Sequence, residues 1–226
     1  MSRLRILAEG RWPGPEALDE SGRAAAPALP PLPGFAASSF SPLVAETAER
    51  CLRAHFGPAD APDRALSRTA LLLASGGGDR ATARAIDAAA ASGRRVPPLL
   101  FFQSNPNAVL GLVAARWKLT GPVVAVSPPG SVPGEVPPDA LELAALLLAD
   151  GDADQVLVIA AEQADEAAPS EGAGQPAPAA RPERPGPPRP GEQPQPDEQP
   201  HPGGRSGPAA PPPHGDTAVA LLVTLA

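Results

Sequence analysis

The residue types that most often carry covalent or metal chemistry are scarce in this chain. Its 226 residues include one cysteine, Cys51, and three histidines. Cys51 lies one helical turn before His55, but a nucleophile pair also needs an orienting group and an oxyanion site, and neither is close in the sequence. We therefore interpret Cys51 as a buried, small apolar side chain rather than a reactive thiol. His201 and His214 lie in or beside a proline-rich stretch, and no spacing of His and Cys matches a metal site.

Two further motifs contain groups that bind ions in other proteins. Residues 75–79 (SGGGD) follow a predicted strand and precede a predicted helix, a context in which backbone N–H groups can bind phosphate. The lysine of a phosphate-binding loop and the full glycine pattern of a dinucleotide site are both missing, so we favour a tight turn. Asp150, Asp152 and Asp154 alternate, but the distal glutamate of a calcium loop is missing, and we favour a solvated turn. We expect neither a metal nor a cofactor.

Composition excludes several classes of partner. The net charge of −7 argues against nucleic acid or an anionic membrane surface as the main partner. The N-terminal sequence MSRLRILAEG has no apolar run long enough for a signal peptide or a membrane span, and one cysteine allows no internal disulfide, so we expect a cytoplasmic protein. Residues 169–213 contain no Val, Ile, Leu, Met, Phe or Trp, and we expect this stretch to be disordered because it cannot bury apolar area.

Hydrophobic patterning around these motifs predicts an α/β layered domain. Strands are predicted at 4–12, 65–74, 123–126, 155–160 and 217–225, and helices from Ser41-Pro42 to Gly57, at 80–92, after a turn within 101–119, and at 139–149. For the first helix, Ser41 suits the N-cap and Pro42 the first helical position. Continuous apolar runs indicate strands that helices cover on both faces. Because strand 217–225 must return to the same core, we predict one domain over 1–168 and 215–226 with an insert at 169–214.

The stretch from Arg95 to Glu162 resembles the N-terminal half of β-ketoacyl synthases. That family has a motif of a Ser-Pro pair, a phenylalanine, a serine, an asparagine and a glycine, followed by a Gly-Pro break before a short strand. Here Pro97-Pro98 stand for the pair, and the other positions are matched by Phe101 or Phe102, Ser104, Asn107, Ala108, Gly111, Gly121 and Pro122. Downstream, ALELAALLLADGDADQVLVIAAEQ and GDTAVALLVTL resemble a helix and two strands of the family.

The resemblance covers nearly all of the chain outside the insert. It implies the N-terminal half of a thiolase-like fold, a mixed five-stranded sheet with helices on both faces. In the family, the strand before the nucleophile lies at an edge and pairs across a dimer axis. The corresponding strand here is Val123 to Val126, so the resemblance implies a homodimer that pairs through that edge.

The resemblance also locates a missing nucleophile. Counted from Gly121-Pro122, the family's reactive cysteine falls at or next to Gly130, where residues 126–131 read VSPPGS. The family needs that thiol to hold the acyl chain as a thioester, and it uses two histidines of a C-terminal half that this sequence does not include. We therefore do not expect the chain to catalyse a Claisen condensation alone.

Three functional hypotheses follow from the resemblance and the missing cysteine. The first is a non-catalytic subunit, similar to a chain-length factor, that binds an active ketoacyl synthase or an acyl carrier protein in fatty acid or polyketide biosynthesis. The second is an acyl-thioester hydrolase or transferase with Ser127 or Ser131 as nucleophile, although no histidine lies nearby in the matched region to act as base. The third is a remnant without a biochemical role.

Overall fold

The structure is a computed structural model that describes residues 3–14, 28–59, 68–164 and 215–226. The predicted disordered insert at 169–214 lies outside the described residues. In chain order the elements are β1 (Leu4–Trp12), α1 (Phe40–Phe56), β2 (Thr69–Ala74), α2 (Arg80–Ala91), α3 (Pro98–Ser104), α4 (Pro106–Trp117), β3 (Val123–Val126), α5 (Pro138–Ala149), β4 (Gln155–Glu162) and β5 (Thr217–Leu225). No helix in the described part of the chain is both long enough and apolar enough to cross a bilayer.

The strands form one mixed sheet in the order β1-β5-β4-β2-β3. Strand β2 runs parallel to both β3 and β4, whereas β5 runs antiparallel to both β4 and β1. The final strand therefore lies inside the sheet, between the first and the fourth. Strands β1 and β3 are its edges. The predicted mixed, five-stranded sheet is confirmed.

Alternate side chains of the central strands point to opposite helical layers. In β2, Leu71 and Leu73 join the core that contains the buried residues of α1 and α4, while Leu72 joins the core beneath α5. Strand β4 repeats the pattern, since Leu157 belongs to the first core and Val158 to the second. Because successive strand residues face opposite sides of a sheet, this alternation places helices on both faces, as predicted.

Close contacts fix α1 against both the sheet and α4. A β-carbon on Gly10 would lie 2.7 Å from the backbone nitrogen of Cys51 and 2.7 Å from the carbonyl oxygen of Thr47, so β1 and α1 are in direct backbone contact. On its other side, α1 accepts a 2.7 Å hydrogen bond at Glu49 Oε2 from Trp117 Nε1, on a fully buried tryptophan of α4. Helix α1 is thus in direct backbone contact with β1 and is joined to α4 by a charge-assisted hydrogen bond.

The predicted start of α1 is wrong by two residues, because the N-cap is Ser39 and not Ser41. The helix begins at Phe40, and its N-cap residue is Ser39, whose side chain makes no capping hydrogen bond. The Ser38 hydroxyl instead accepts a 2.8 Å hydrogen bond from the Ser41 amide. Ser41 and Pro42 therefore lie inside the first turn, where a proline is tolerated because its missing N–H has no partner in the helix.

The region predicted as a turn and one helix contains two helices. Asn105 separates α3 from α4, and its side chain accepts a 3.0 Å hydrogen bond from the Asn107 amide, which caps α4. Strand β4 also differs from the prediction, because it continues two residues further, to Glu162. Strand β2 begins at Thr69, and the first part of the strand predicted over 65–74 lies outside the described residues.

Candidate functional site

The carboxyl ends of the three parallel strands meet at one edge of the sheet. Strand β2 leads into residues 75–79, β3 into the turn at 127–131, and β4 ends at Glu162. The Ser75 amide donates a 3.1 Å hydrogen bond to the carbonyl oxygen of Val126, which joins the first two segments. Because ligands of parallel α/β sheets bind outside the carboxyl ends of the strands, this edge is the candidate functional site.

The turn after β3 is stabilised by a hydrogen bond between two of its own residues. Gly130, at the position expected for the nucleophile, is exposed and adopts a φ of +70°. Ser131 is half-buried, and its hydroxyl donates a 3.1 Å hydrogen bond to the carbonyl oxygen of Pro128. Ser127 is exposed. The structure therefore places Ser131 as a turn-stabilising hydroxyl and presents Ser127 to solvent.

The glycine turn after β2 is occupied by a carboxylate of the chain itself. Glu162 accepts hydrogen bonds from the backbone amides of Gly76 at 2.5 Å and Gly77 at 3.2 Å. The amide of Gly78 donates to the Ser75 hydroxyl at 2.9 Å. The backbone N–H groups that would bind a phosphate thus have partners within the protein, in agreement with the tight turn that we favoured.

The first amides of α2 are occupied as well. Gln163 Oε1 accepts hydrogen bonds from the amides of Arg80 at 2.7 Å and Ala81 at 3.3 Å, and the Asp79 carboxylate accepts one from the Thr82 amide at 3.0 Å. Sequence analysis missed the roles of Glu162 and Gln163. The positions that they join lie more than 80 residues apart, so no local pattern connects them.

The described residues enclose little space at this edge. A hollow of about 90 Å³ lies beside the turn, between Pro128 and Asp139. A second hollow, lined in part by Ser131 and Glu162, has no room for a water molecule. Pockets for small ligands usually measure about 300–1,000 Å³. Neither of these two hollows is large enough to hold an acyl chain beside the position of the missing nucleophile.

The structure does not bring Cys51 and His55 together as a nucleophile pair. Cys51 is fully buried in α1, and burial raises the pKa of its thiol to about 12. His55 is exposed in the last turn of the helix, where its ring lies edge-on to Phe56 with centroids 4.6 Å apart. A protonated core thiol and an exposed imidazole do not form an activated pair.

Metal ligands do not cluster in the described part of the chain. No group of three or more His, Cys, Asp or Glu side chains there is arranged to hold an ion. Asp154, in the alternating aspartates, forms an ion pair of 2.7 Å with Arg68, and this hydrogen bond lowers the pKa of the Asp154 carboxyl. His201 and His214 lie outside the described residues.

Two of the motif residues lie where β2 and β3 meet. A β-carbon on Gly121 would lie 2.5 Å from the backbone of both Thr69 and Ala70, so only glycine allows this approach. The carbonyl oxygen of Pro122 accepts a 2.9 Å hydrogen bond from the Leu71 amide. Gly121 and Pro122 therefore set the position of β3 beside β2.

The other motif residues lie on α3 and α4. Phe102 and Asn107 are exposed, and the Ser104 hydroxyl donates a 2.9 Å hydrogen bond to the carbonyl oxygen of Phe101. Gly111 is exposed on α4, and a β-carbon there would meet nothing within 4 Å. The matched motif thus contains residues with a clear packing role, such as Gly121, and others whose role the packing does not explain.

No protein-family profile and no curated protein matches this chain. Solved structures do match it. Over 100% of this chain and 80% of the other, it is similar to a chain in the complex of the ketosynthase ApeO with its chain length factor ApeC from Xenorhabdus doucetiae, with a TM-score of 0.56 and 18% identity. It is also similar to a β-ketoacyl synthase from Burkholderia phymatum, with a TM-score of 0.58 and 17% identity over 100% of this chain and 60% of that one.

A third match is the ishigamide ketosynthase/chain length factor, with a TM-score of 0.53 and 18% identity over 86% of this chain and 46% of that one. The present chain thus spans 46% and 60% of two of these structures, about half their length. These likenesses confirm the predicted fold: the chain has the fold of these ketosynthase structures.

Proposed function

We propose that this chain is a non-catalytic, ketosynthase-like subunit that pairs with an active ketosynthase, as a chain length factor does, in polyketide or fatty acid biosynthesis. The observation that carries the proposal is the set of residues and hydrogen bonds at the carboxyl ends of the parallel strands. A glycine, Gly130, stands where the nucleophile is expected. The Ser131 hydroxyl in the adjoining turn and the Gly76 amide in the glycine turn after β2 are both hydrogen-bonded to other groups of the chain. Among the described residues, neither cysteine nor histidine lies at this edge, which supports a role other than condensation.

The comparisons support a partner of the ketosynthase class. Two of the similar structures are described as a ketosynthase with its chain length factor. In the first, the similar chain is only moderately longer than this one, because full coverage of this chain accounts for 80% of it. The chain thus covers most of one chain of that two-component assembly. In such an assembly an acyl carrier protein is the second partner that we expect.

The free edge of β3 is the proposed site of pairing. Carbonyl oxygens of Pro122 and Val126 accept hydrogen bonds from β2, so the intervening Val123 and Ala125 direct their backbone groups to the opposite side. In the described part of the chain β3 pairs with β2 only, and Val123 is 38% exposed. An unpaired edge of this kind is a template for a strand of another subunit.

The alternative of an acyl-thioester hydrolase or transferase gains no support from the geometry. The Ser131 hydroxyl is bound to Pro128, and Ser127 is exposed. The one histidine in the described residues, His55, lies at the end of α1 and not at this edge. A serine nucleophile without a base is not activated.

A binding experiment with an edge-strand variant tests the proposed function. Each intact ketosynthase of the source organism is purified separately and mixed with the chain, and the complex is measured by light scattering after size-exclusion chromatography. We expect one of them to form a stoichiometric complex. Ala125→Pro removes an outward N–H while leaving the hydrogen bonds to β2, so it should abolish the complex, whereas Ala125→Val keeps the N–H and should retain it.

Three other outcomes of this experiment count against parts of the proposal. Absence of a complex with every synthase contradicts the proposed function. A complex that Ala125→Pro leaves intact contradicts pairing through β3. A chain that dimerises with itself, and loses the dimer in Ala125→Pro, shows that the edge pairs with a second copy instead of a ketosynthase.

A further inference from the structure

The two edge strands of the sheet differ in composition and in regularity. In the described part of the chain, β3 pairs only with β2 and β1 pairs only with β5. Strand β3 reads VVAV and pairs with β2 at four consecutive positions. Strand β1 reads LRILAEGRW, so it carries charged residues, and its register with β5 contains one shift. The two edges therefore differ as templates for a further strand.

The shift in β1 is a β-bulge at Leu7. Ile6 pairs with Val223 and Ala8 pairs with Leu222, so Leu7 is an extra residue opposite two consecutive residues of β5. The side chains agree with this register, because Leu7 and Ala8 are consecutive and yet both pack against the first core. A bulge bends a strand and increases its local twist, which makes its outer edge a poor match for a regular strand.

The bulge also has a packing role inside the domain. Leu4 packs against the core beneath α5, whereas Trp12 lies in the first core and Gly10 is in contact with α1. In a regular strand these three residues would share one face, because they are separated by even numbers of residues. The extra residue thus turns the second half of β1 toward α1. Packing explains the bulge, but it does not explain the charged residues of the strand.

All three charged residues of β1, Arg5, Glu9 and Arg11, are exposed. The side chains of Glu9 and Arg11 form an ion pair, and the Arg11 guanidinium also donates a 3.3 Å hydrogen bond to the carbonyl oxygen of Gly134. A strand added at the outer edge of β1 would bring its side chains to about 4.5–5.5 Å from these charged groups. It would also remove water from them, which is costly when the added side chains are apolar, as they are in β3.

We propose that the bulge at Leu7 and the charges of Arg5, Glu9 and Arg11 prevent a further strand from pairing with β1. A chain with two open sheet edges can polymerise, because β3 of one copy can pair with β1 of the next and no step closes the assembly. With β1 blocked, pairing through β3 ends at a complex of two chains. The inference goes beyond the proposed function, since it concerns the opposite edge of the sheet and holds whichever chain pairs with β3.

Substitution of the charged residues tests the inference and leaves the bulge in place. Arg5→Val/Glu9→Val/Arg11→Val makes β1 uncharged. We expect its weight-average mass, measured by light scattering, to rise with concentration to about threefold or more that of a single chain, while the mass of the unmodified chain does not exceed that of a dimer. Adding Ala125→Pro, which removes an outward N–H of β3, should stop this growth because β3 can then no longer pair with β1.

A matched control removes the same charges elsewhere. Arg94→Val/Arg95→Val/Glu142→Val replaces two arginines and one glutamate at exposed positions outside the strands. Its net charge equals that of the valine variant of β1, so a general loss of solubility would affect both variants equally. We expect this control to keep the mass of the unmodified chain at every concentration.

A conservative variant and a milder one keep the test decisive. Arg5→Lys/Glu9→Asp/Arg11→Lys retains the charges of β1 and should have the mass of the unmodified chain. Circular dichroism and thermal unfolding show whether each variant folds. If the triple valine variant does not fold, Arg5→Val/Glu9→Val, which keeps the hydrogen bond from Arg11 to Gly134, is measured in its place and should also associate.

Three outcomes overturn the inference. The first is a folded valine variant whose mass equals that of the unmodified chain at all concentrations. The second is equal growth in the control with substitutions outside the strands, because loss of surface charge anywhere would then suffice. The third is growth that Ala125→Pro leaves unchanged, because the copies would then meet elsewhere than at β1 and β3. Failure of every ketosynthase to bind contradicts only the proposed function, since these masses are measured on the chain alone.

Discussion

The Glu162 carboxylate accepts a 2.5 Å hydrogen bond from the backbone amide of Gly76, a residue 86 positions away in the sequence. This contact joins the end of β4 to the turn that follows β2. A β-carbon on Gly76 would lie 3.4 Å from Ser131 Oγ and 3.5 Å from Glu162 Oε1, so the turn after β3 approaches the same point. The candidate edge is therefore closed by contacts between the three segments that leave the parallel strands.

Replacement of Glu162 tests how much this contact stabilises the fold. Glu162→Ala removes the acceptor for the amides of Gly76 and Gly77. A charge-assisted hydrogen bond contributes roughly 1.5–3 kcal/mol, but these glycines are exposed and water can replace part of the interaction, so we expect a loss of about 1–2 kcal/mol in the free energy of unfolding. Urea denaturation monitored by circular dichroism measures the loss.

Two comparison variants sharpen that prediction. Glu162→Gln retains one acceptor oxygen and should lose less than the alanine variant. Glu142→Ala removes an exposed carboxylate on α5 and should change the free energy of unfolding by less than about 0.5 kcal/mol. Equal stability of Glu162→Ala and the unmodified protein would show that the closure of the edge does not depend on this carboxylate.

Alanine substitutions at two glycines of the matched motif should have opposite effects. At Gly121 a β-carbon would meet backbone atoms of β2 at 2.5 Å, so Gly121→Ala must displace β3 and should cost about 1–3 kcal/mol. At Gly111, in the middle of α4, a β-carbon meets nothing within 4 Å, and alanine has the higher helix propensity, so Gly111→Ala should stabilise by up to about 1 kcal/mol.

Thermal and urea unfolding of both alanine variants measure these changes in stability. The edge strand is also proposed to pair with a partner, so Gly121→Ala should weaken the complex while Gly111→Ala leaves it unchanged. A stabilising or neutral Gly121→Ala would mean that β2 and β3 are not packed as closely as described.

The thiol of Cys51 should be inert in the folded protein. Burial raises its pKa from 9.0 to about 12, so the thiol carries its proton at neutral pH and no thiolate is available as nucleophile. Ellman's reagent at pH 8 should leave the folded chain unmodified and label one thiol in denaturing urea. Rapid, stoichiometric labelling without urea would contradict the burial of this residue.

The same pKa predicts a dependence of stability on pH. The folded state binds the thiol proton more tightly than the unfolded state, so this contribution is fully present below pH 9 and is lost as the pH rises toward 12. The free energy of unfolding should therefore fall relative to that of Cys51→Ala above pH 9, with a slope of at most about 1.4 kcal/mol per pH unit. Parallel pH dependences in the two proteins would exclude the shift.

The serines of the turn after β3 should not form acyl intermediates. The Ser131 hydroxyl is bound to Pro128, and the described residues place no histidine beside Ser127 or Ser131. Incubation with acyl-thioesters should give no covalent adduct by intact-mass spectrometry, in the unmodified chain and in Ser127→Ala and Ser131→Ala alike. An adduct that disappears in either variant would favour the alternative function of a hydrolase or transferase.

Several strands could be predicted from the sequence because nearly all of their residues are apolar. The apolar run QVLVIA predicts a buried strand without reference to any partner, and the run TAVALLVTL predicts one after the insert; the structure contains both as β4 and β5. Such strands are apolar throughout because helices cover both faces. The resemblance added the topology, which periodicity alone does not provide.

Other features depend on contacts between residues that are far apart in the sequence, and local hydrophobic patterns do not predict such contacts. Helix α3 was not predicted because its polar Gln103 is inside and its phenylalanines are outside, the reverse of the usual pattern. Serine and proline suggested a cap at Ser41, yet the Ser38 hydroxyl binds the Ser41 amide and the helix begins at Phe40. The role of Glu162 depends on the meeting of two strand ends, which only the three-dimensional fold reveals.

The most direct test of the central proposal is an elongation assay with malonyl-loaded acyl carrier protein and the ketosynthase that binds this chain. Products are measured by mass spectrometry for the chain alone, the synthase alone and the two together. We predict no condensation by the chain alone, and for the complex a product length or a rate that differs from that of the synthase alone. Condensation by the chain alone, or identical products with and without it, would contradict the account.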